Sequence, residues 1–362
     1  MAARGLLACA LLGAASAVQD SAVVYYSNDD GKITSSPADD GSQVATVFPG
    51  DGKISYVAFS GDDLYFTDRV YNTLSKLAVQ GDASKNASAS VVFGGFGEPH
   101  DFVVEGSHVY VADKGKGNVM RGDLSNATNG VTAVVTGLDG PVGVAVDDNY
   151  LYVSENTGGD VKRFKLELLP AAAADGETLV DGLTGPRSLL VAETGENLYY
   201  VEAAGTGVAA VRSLDLDTFA STDVLTALDS PNSIAAADEM IYVTDDADGA
   251  VYRAALTGVS HPKKDLEVFV KAAAPRAIAI LAAPVLETTA SADPSTDPDD
   301  ASSDANGAPM LASLDGGVAG LSGGAAAAAL LVVAAAFVAV AAGRKAAAAP
   351  GTYAAIPADE SL

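Results

Sequence analysis

Short apolar segments that begin with a tyrosine and end in an acid or an amide recur along the middle of the chain. The tyrosines follow one another at steps of 40, 45, 42, 47 and 43 residues, and the closing residue stands three positions after each tyrosine. The six pairs are Tyr25 and Asn28, Tyr65 and Asp68, Tyr110 and Asp113, Tyr152 and Glu155, Tyr199 and Glu202, and Tyr242 and Asp245. A fixed period of this length indicates an array of structural repeats.

A second pattern runs in phase with the first, because a proline opens an apolar run before most of the tyrosine segments. The prolines are Pro99, Pro141, Pro186, Pro231 and Pro275, and Ile54 holds the matching place in the remaining copy. One unit then divides into four predicted strands at 141–146, 150–154, 161–166 and 178–180, separated by glycine-rich turns. Fourth strands recur at 44–48, 91–93, 134–135, 224–225 and 268–270.

Four strands in each unit of about 40 to 50 residues predict an all-β fold, a six-bladed β-propeller of four-stranded blades, over residues 18–286. The first tyrosine segment has no inner strand before it, and the last inner strand, 275–281, has no tyrosine segment after it. We therefore expect the N- and C-terminal strands to share one blade, which closes the ring and removes its free edges.

Both ends of the chain differ from the repeats. Residues 1–17 are typical of a cleaved secretory signal, with Arg4, an apolar stretch and a small-residue cleavage site; a buried helix and a lipoprotein box at Cys9 are the alternatives. Residues 316–343 carry no charge and predict one C-terminal transmembrane helix, although an alanine-rich soluble helix or tail is also consistent with them. Arg344 and Lys345 then predict a cytosolic tail, 344–362, and a type I orientation.

Residues 287–315 hold seven acids and no Lys or Arg, which predicts a disordered stalk rich in Ser, Thr and Pro. The chain has 21 Lys and Arg against 47 Asp and Glu, for a net charge of −26. The signal carries +1, the stalk −7 and the span and tail none, so residues 18–286 hold −20. This charge argues against nucleic acid as a partner. One Cys and three His exclude a disulfide scaffold and a Cys/His zinc cluster within the chain.

The repeats resemble known propeller families. Leu64-Tyr65-Phe66-Thr67-Asp68 and Ile241-Tyr242-Val243-Thr244-Asp245 are similar to the YWTD repeats of lipoprotein receptors, with Phe or Val in place of Trp. The proline-led run followed by Leu-Tyr-Val-Ser/Thr-Asp/Glu is as similar to NHL repeats and to the SMP-30/gluconolactonase-like and strictosidine-synthase-like group. The resemblance covers about 22–286 and implies either ligand binding of the receptor type or metal-dependent hydrolase or lyase chemistry.

The residues just after the repeat proline are expected to line the entrance of the central channel. They are Ser55, His100, Val142, Arg187, Asn232 and Arg276. His100, Arg187, Asn232 and Arg276 are thus candidate ligand-binding residues, and their local positive charge suits a carboxylate or a phosphate. The alternative is that each arginine pairs with the acid that ends a neighbouring second strand, such as Glu202 or Asp245.

The acids and amide that end the second strands admit two interpretations. They could form a calcium ring, because hard cations prefer oxygen ligands. They could instead accept hydrogen bonds from the backbone of the following turn, as Asp and Asn commonly do. The presence of these side chains in all six repeats favours the second interpretation, because the residues of a catalytic site usually differ from one repeat to the next.

Similarity to the SMP-30-like group implies a divalent metal, calcium being the candidate, held by a Glu, an Asn and an Asp at the channel mouth. Asn232 lies in a stretch that resembles the one carrying their Asn, and Glu98 precedes a repeat proline. The third ligand is not found, since Arg187 and Arg276 follow the prolines where an Asp would be needed. His100 would be the candidate general base of such an enzyme.

Two sequons, at Asn86 and Asn126, fall in polar loops and predict glycosylation of a secreted protein.

Taken together, these features favour a membrane-anchored binding module, without a required cofactor, whose loop face takes a protein, peptide, glycan or small anion. The alternative is a calcium-dependent lactonase or esterase with its site at the channel mouth. A structural head that resists proteases is the third possibility.

Overall fold

The computed structural model describes residues 22–37, 45–79, 88–203, 209–256 and 259–281. The predicted signal, stalk, membrane span and tail lie outside the described residues, and so does Asn86. Within the described part, no helix is long and apolar enough to cross a membrane.

Six antiparallel sheets form the blades, and the blades are numbered here in chain order. Blade 1 contains β1 (Val23–Asn28), β2 (Ile33–Pro37) and β3 (Ala45–Phe48); blade 2 contains β4 (Ile54–Ser60), β5 (Asp63–Asp68), β6 (Thr73–Ala78) and β7 (Ala89–Gly94); blade 3 contains β8 (Pro99–Glu105), β9 (His108–Asp113), β10 (Asn118–Asp123) and β11 (Val131–Thr136).

The second half of the ring repeats this order. Blade 4 contains β12 (Pro141–Val146), β13 (Tyr150–Glu155), β14 (Asp160–Lys165) and, after the short β15 (Ala171–Ala172), β16 (Glu177–Val180); blade 5 contains β17 (Pro186–Val191), β18 (Asn197–Glu202), β19 (Ala209–Asp215) and β20 (Ser221–Leu228); blade 6 contains β21 (Pro231–Ala237), β22 (Met240–Asp245), β23 (Ala250–Ala255) and, after the short β24 (His261–Pro262), β25 (Glu267–Lys271). The last strand, β26 (Pro275–Leu281), belongs to blade 1. Single 3₁₀ turns occur at Ala127–Asn129, Leu166–Leu168, Ala173–Asp175 and Lys263–Asp265.

The innermost strands form a closed circuit, in which β26, β4, β8, β12, β17 and β21 each contact the next and β21 contacts β26. This circuit confirms the six-bladed propeller predicted from the repeats. The predicted second strands end in the structure at the acid or amide of each motif, and each predicted fourth strand forms part of an observed outer strand.

Apolar side chains from neighbouring blades pack together to form the core. One cluster joins Tyr26 of blade 1 to Tyr242 and Phe269 of blade 6, and others fill the remaining blade boundaries in the same way. The second tyrosine of the motif is almost wholly removed from solvent where it occurs, at Tyr26 and Tyr200. Burial of such side chains is the main stabilisation of the ring, since each blade alone exposes two apolar faces.

The closure prediction is confirmed by β26, which pairs antiparallel with β1 and completes blade 1. Asn28 pairs with Pro275 at one end of this joint, and Val23 pairs with Leu281 at the other. Ala22 and Leu281, the two ends of the described propeller, therefore lie side by side.

Two sheets carry a fifth strand that the repeat pattern does not predict. The short β15, from the loop of blade 4, pairs in parallel with β11 of blade 3, and β24, from the loop of blade 6, pairs in parallel with β20 of blade 5. Four-stranded blades are thus the rule in the structure, with these two extensions.

Candidate functional site

A cavity of about 190 Å³ lies at the entrance of the central channel. The side chains that line it include every residue that follows the repeat proline or its equivalent: Ser55, His100, Val142, Arg187, Asn232 and Arg276. The strand register shifts next to these positions in all six blades. Such β-bulges re-aim a side chain, and this accounts for the inward direction of residues at one repeat position.

Hydroxyl groups from the preceding blade fix the backbone of this ring. Ser154 Oγ donates to the carbonyl oxygen of Arg187 at 2.8 Å, and Thr244 Oγ1 donates to that of Arg276 at 3.0 Å. Thr67 Oγ1 donates to His100 O at 2.5 Å. These buried hydroxyls stand one residue before the acid of the tyrosine motif. This contact with the backbone of the mouth residues was not predicted from the sequence, although the recurrence of a hydroxyl side chain directly before the acid of the motif indicates a shared structural function.

Close approach of blades 4 and 5 also positions Arg187. A Cβ atom at Gly143 would lie 2.2 Å from the carbonyl oxygen of Arg187, so a residue with a side chain does not fit there. Asn156 Nδ2 donates to Pro186 O at 3.2 Å from the same side. The backbone on both sides of the Arg187 side chain is therefore held by its neighbours.

The acids that end the second strands accept hydrogen bonds from backbone N–H groups, as the favoured interpretation predicted, but the partner loop is usually different. Asp113 binds Gly97 N and Glu98 N at 2.8 Å each. Asp245 binds the N–H groups at 229 and 230, each at 2.9 Å. Both loops precede the inner strand of the same blade. Only Asp68 binds mainly the following turn, through Val70 N at 2.8 Å and Tyr71 N at 3.2 Å.

Arg276 is neutralised by acids from both sides. Its Nε lies 2.9 Å from Asp29 Oδ1, and its Nη2 lies 3.2 Å from Asp246 Oδ2. The paired acids follow the second strands of blades 1 and 6, so the expected pairing holds for Arg276 with partners one residue beyond the motif position. Its charge is compensated within the protein.

Glu98 lies between two basic side chains. Glu98 Oε1 is 3.3 Å from His100 Nε2 and 3.4 Å from Arg69 Nη1. Burial, followed by the charge of Arg69, lowers the pKa of His100 to about 4, and Glu98 acts in the opposite direction. Burial alone would raise the pKa of Glu98, but His100 and Arg69 reverse this, and the net direction is downward. At neutral pH this group is therefore an ionised Glu98 beside a neutral His100.

Arg187 has a different environment from Arg276. Its Nη1 donates to Pro231 O at 3.4 Å and to Asn232 Oδ1. No ion pair joins it to a carboxylate of the described residues. Burial lowers the pKa of its guanidinium group, and the charge of Arg276 lowers it further, whereas Asp246 acts in the opposite direction. Arg187 is a half-buried cation whose hydrogen-bond partners are neutral.

Three further polar residues line the cavity and were not predicted: Arg69, Lys114 and Asn156. They follow the acids of the tyrosine motifs in blades 2, 3 and 4. Lys114 Nζ donates to Asn156 Oδ1 at 3.5 Å and has no ion pair with a carboxylate of the described residues. The mouth thus holds a second cation without an acid partner.

A second ring of residues lies deeper in the channel and was not predicted from the sequence. It consists of the residues two positions after the repeat proline or its equivalent, and its cavity-lining members are Tyr56, Asp101, Ser188 and Ser233. Several polar atoms of the cavity wall have no hydrogen-bond partner among the described residues: Ser55 Oγ, Asp101 Oδ2, Asn232 Nδ2 and Ser233 Oγ. Buried polar groups are normally paired, so their concentration on one cavity marks it as a binding site for a polar molecule.

The ligand set implied for calcium does not fit this arrangement. Asn232 Oδ1 accepts from the Arg187 guanidinium group, and Glu98 Oε1 is occupied by Arg69 and His100. A cation bound there would meet the positive charges of Arg69 and Arg187. Within the described residues, no group of three or more His, Cys, Asp or Glu side chains is arranged to hold a metal ion.

Asn126 is not among the cavity-lining residues and stands directly before the 3₁₀ turn that precedes β11. It is exposed, and Thr128 Oγ1 donates to its Oδ1 at 2.6 Å. Its sequon is therefore accessible, and glycosylation at Asn126 stays a prediction. Asn86 lies outside the described residues.

The chain was compared with known sequences and with solved structures. A scan against protein-family models finds no match. A search of curated proteins finds no similar sequence either.

Solved structures are similar at low sequence identity. A chain in the crystal structure of a nidogen/laminin complex has a TM-score of 0.58 and 16% identity, and the match covers 72% of this chain and 98% of that one. TolB from Acinetobacter baumannii has a TM-score of 0.54 and 15% identity, over 72% of this chain and 66% of TolB. A candidate 6-phosphogluconolactonase from Bacteroides fragilis has a TM-score of 0.51 and 13% identity, over 74% of this chain and 99% of that one. At these identities the similarity establishes the propeller fold and no function.

Proposed function

We propose that the protein is a binding module, held at the outer or lumenal side of a membrane by the predicted C-terminal span, that takes an anionic group of its ligand into the channel mouth. The ligand is a protein, peptide, glycan or small molecule that carries such a group. Arg187, Lys114 and Asn232 would contact the anion, and His100 and Arg276 would form the surrounding wall.

The observation that carries this proposal is the environment of Arg187. A buried charge is costly unless an opposite charge and hydrogen bonds compensate it. Arg276, at the same repeat position, has two carboxylate partners, whereas Arg187 has none among the described residues. A guanidinium group in this state favours a bound carboxylate or phosphate, which it can contact through two parallel hydrogen bonds.

The surrounding charge adds specificity. The chain carries a net charge of −26, so most of its surface repels anions. Arg69, Lys114, Arg187 and Arg276 converge on one cavity within this acidic protein. A confined positive potential of this kind raises the local concentration of an anion at the mouth and nowhere else nearby.

The calcium-dependent lactonase or esterase is the weaker alternative. It requires Asn232 and Glu98 to release Arg187, His100 and Arg69 before either can bind a metal. The similarity to a candidate lactonase and the similarity to a chain of the nidogen/laminin complex are both similarities of fold. The position of the cations supports anion binding.

Isothermal titration of the purified full-length protein with acetate and with inorganic phosphate tests the proposal. We expect wild-type protein to bind at least one of these anions and Arg187→Gln to lose most of the affinity, roughly tenfold or more, since a charge-assisted contact is lost. Arg276→Gln is the matched control, with the smaller loss expected for an arginine already paired with Asp29 and Asp246. Equal losses in the two variants, or no binding by the wild type, would contradict the proposal.

A further inference from the structure

One wall of the mouth cavity contains a buried carboxyl group that anion binding by the arginines leaves unexplained. Asp101 is only 4% exposed, yet it lines the cavity beneath the ring of mouth residues. Its Oδ1 accepts from the N–H group of Phe102 at 2.9 Å. Its Oδ2 has no hydrogen-bond partner among the described residues.

An ionised carboxylate at this place would oppose an anion in the same small cavity. Burial raises the pKa of Asp101 well above its ordinary value. The N–H groups of Phe102, Val144 and Leu189 and the Tyr56 hydroxyl act in the opposite direction, but their combined effect is smaller than that of burial. The neutral, protonated form has a hydrogen on one oxygen, and Oδ2 is the oxygen for which no group of the described residues stands in hydrogen-bond geometry.

The groups that share the cavity with Asp101 do not take this proton. The other titratable or charged groups that line the cavity are Tyr56, Arg69, His100, Lys114, Arg187 and Arg276, while β12 supplies only Val142 and β21 only Asn232 and Ser233. Burial raises the pKa of Tyr56 well above its ordinary value, so Tyr56 is itself neutral. A cationic arginine or lysine side chain has no site that accepts a proton, and His100 is neutral at pH 7.

The size and charge of the cavity limit its occupant. Its volume of about 190 Å³ is smaller than the roughly 300 to 1,000 Å³ of typical small-molecule sites. It suits a small polar molecule or one polar group of a larger ligand. Arg187 and Lys114 have no acid partner among the described residues, and the planar guanidinium group of Arg187 can contact a carboxylate through two parallel hydrogen bonds.

We propose that Asp101 keeps its proton and donates it from Oδ2, in a hydrogen bond, to a carboxylate that Arg187 holds in the same cavity. Asp101 is thereby a specificity-determining residue, and the ligand chemistry is a carboxylic acid that binds in its ionised form. The acid is either a free small molecule or the end of a side chain on a polypeptide. This inference rests on the proposed function and adds to it a neutral donor and a preferred ligand class.

Two substitutions of Asp101 distinguish a side chain that donates a hydrogen bond to the ligand from one that only supports the fold. Asp101→Asn keeps the shape and places an amide donor where the acid stood, so we expect affinity for acetate within about threefold of wild type. Asp101→Ala removes the donor, and the affinity should fall roughly tenfold or more, as expected for loss of a hydrogen bond to a charged group. Asp123→Asn, at the last residue of β10 and outside the cavity lining, is the matched control and should change nothing.

The experiment uses full-length protein and titrates acetate, inorganic phosphate and an acetylated aspartate-containing tripeptide into wild type and variants. Thermal melting of each variant first establishes that it is folded. Acetate binding with no binding of the peptide identifies a free acid as the source of the carboxylate, and binding of the peptide identifies a side chain. Infrared difference spectra between wild type and Asp101→Asn at pH 7 report the protonated carboxyl group through its carbonyl band.

The outcomes are distinct. A carbonyl band that is lost in Asp101→Asn, together with retained affinity in the Asn variant and loss in the Ala variant, supports the inference. Unchanged affinity in Asp101→Ala, increased affinity in Asp101→Asn, absence of the band, or phosphate binding tighter than acetate binding overturns it. If Arg187→Gln still abolishes binding in those cases, the proposed anion site stands without Asp101. Failure of wild-type protein to bind any probe overturns both.

Discussion

At the scale of single residues, the channel mouth illustrates how one repeat position gives rise to different chemistry. Arg187 and Arg276 both follow a repeat proline, and both line the cavity. Arg276 contacts Asp29, which is 247 residues away in sequence, whereas Arg187 contacts the carbonyl groups of Pro231 and Asn232. The difference depends on which acids the neighbouring blades place beside each arginine.

The ionisation of His100 leads to a prediction about acid stability. Its pKa is about 4 in the folded protein and about 6.5 in an unfolded chain, so the unfolded state takes up a proton first as the pH falls. The free energy of unfolding should therefore decrease between about pH 6.5 and pH 4, and this contribution should become constant below that range. Urea denaturation of wild type and His100→Gln at pH 7 and pH 4.5 measures it.

The His100→Gln variant should lose less stability across this pH interval than wild type, because glutamine does not titrate. Identical losses in the two proteins would mean that His100 is as easily protonated in the folded protein as in the unfolded chain.

The mouth ring could be predicted from the repeat, but the deeper ring could not. His100, Arg187, Asn232 and Arg276 were placed by counting from the proline, and the structure brings them to one cavity. Asp101 occupies a position that is Gly143 in blade 4 and Ala277 in blade 1, so no shared residue type indicated a polar wall. Asp101 is buried because the ring closes around it, and the spacing of the repeats does not show which side chains closure buries.

At the scale of elements, the acids that end the second strands act as clamps on loops. Asp113 and Asp245 bind N–H groups of the loop before the inner strand and so fix the loop that leads to the mouth residue, whereas Asp68 binds mainly the turn that follows it. The sequence predicted that these acids bind backbone. It did not predict that Asp113 and Asp245 reach a loop about 16 residues upstream, because that contact forms only when the first two strands pair.

Asp113→Ala tests the clamp. Asp113 is fully buried, and its removal leaves the N–H groups of Gly97 and Glu98 without their acceptor. We expect a loss of about 3 kcal/mol in the free energy of unfolding, since each unpaired buried group costs about 1 to 3 kcal/mol. Chemical denaturation measures the loss.

Asp123→Ala is the comparison for the clamp, because the carboxylate of Asp123 binds only its local neighbour Ser125. A change within about 0.5 kcal/mol is expected there. Similar values for the two variants would rule out the clamp as a source of stability.

The fifth strands lay beyond sequence prediction for a physical reason. β15 and β24 are two residues long, so they carry no alternation of apolar and polar positions. They form where the loops before β16 and β25 are long enough to reach the outer strand of the preceding blade. Their pairing covers the edges of β11 and β20, which would otherwise be exposed.

At the scale of the whole molecule, stability comes from closure of the ring. Every apolar cluster joins two blades, and the cluster between blades 6 and 1 includes Ile278 of the last strand. This joint could be predicted from the sequence because the first repeat lacks an inner strand. The array ends with one additional inner strand, which can complete that repeat. The depth and polarity of the channel depended on all six inner strands together and were not predictable.

Removal of the last strand is expected to prevent folding. A chain that ends after residue 274 lacks β26, so β1 is left with an unpaired edge and two apolar clusters lose their inner wall. We expect no cooperative thermal transition from this truncation. A chain that ends after residue 286 keeps β26 and should melt cooperatively; if both truncations melt alike, closure by β26 is not what stabilises the ring.

The joint between β1 and β26 also has a mechanical consequence. Val23 and Leu281 are paired at the same end of two antiparallel strands, so a force that separates residues 22 and 281 acts on the hydrogen bonds nearest to that end first. The bonds then break one after another, as in the opening of a zipper, rather than sharing the load. The ring thus opens under tension at the point where it was closed, and tension transmitted through the ends reaches blade 1 before the mouth cavity.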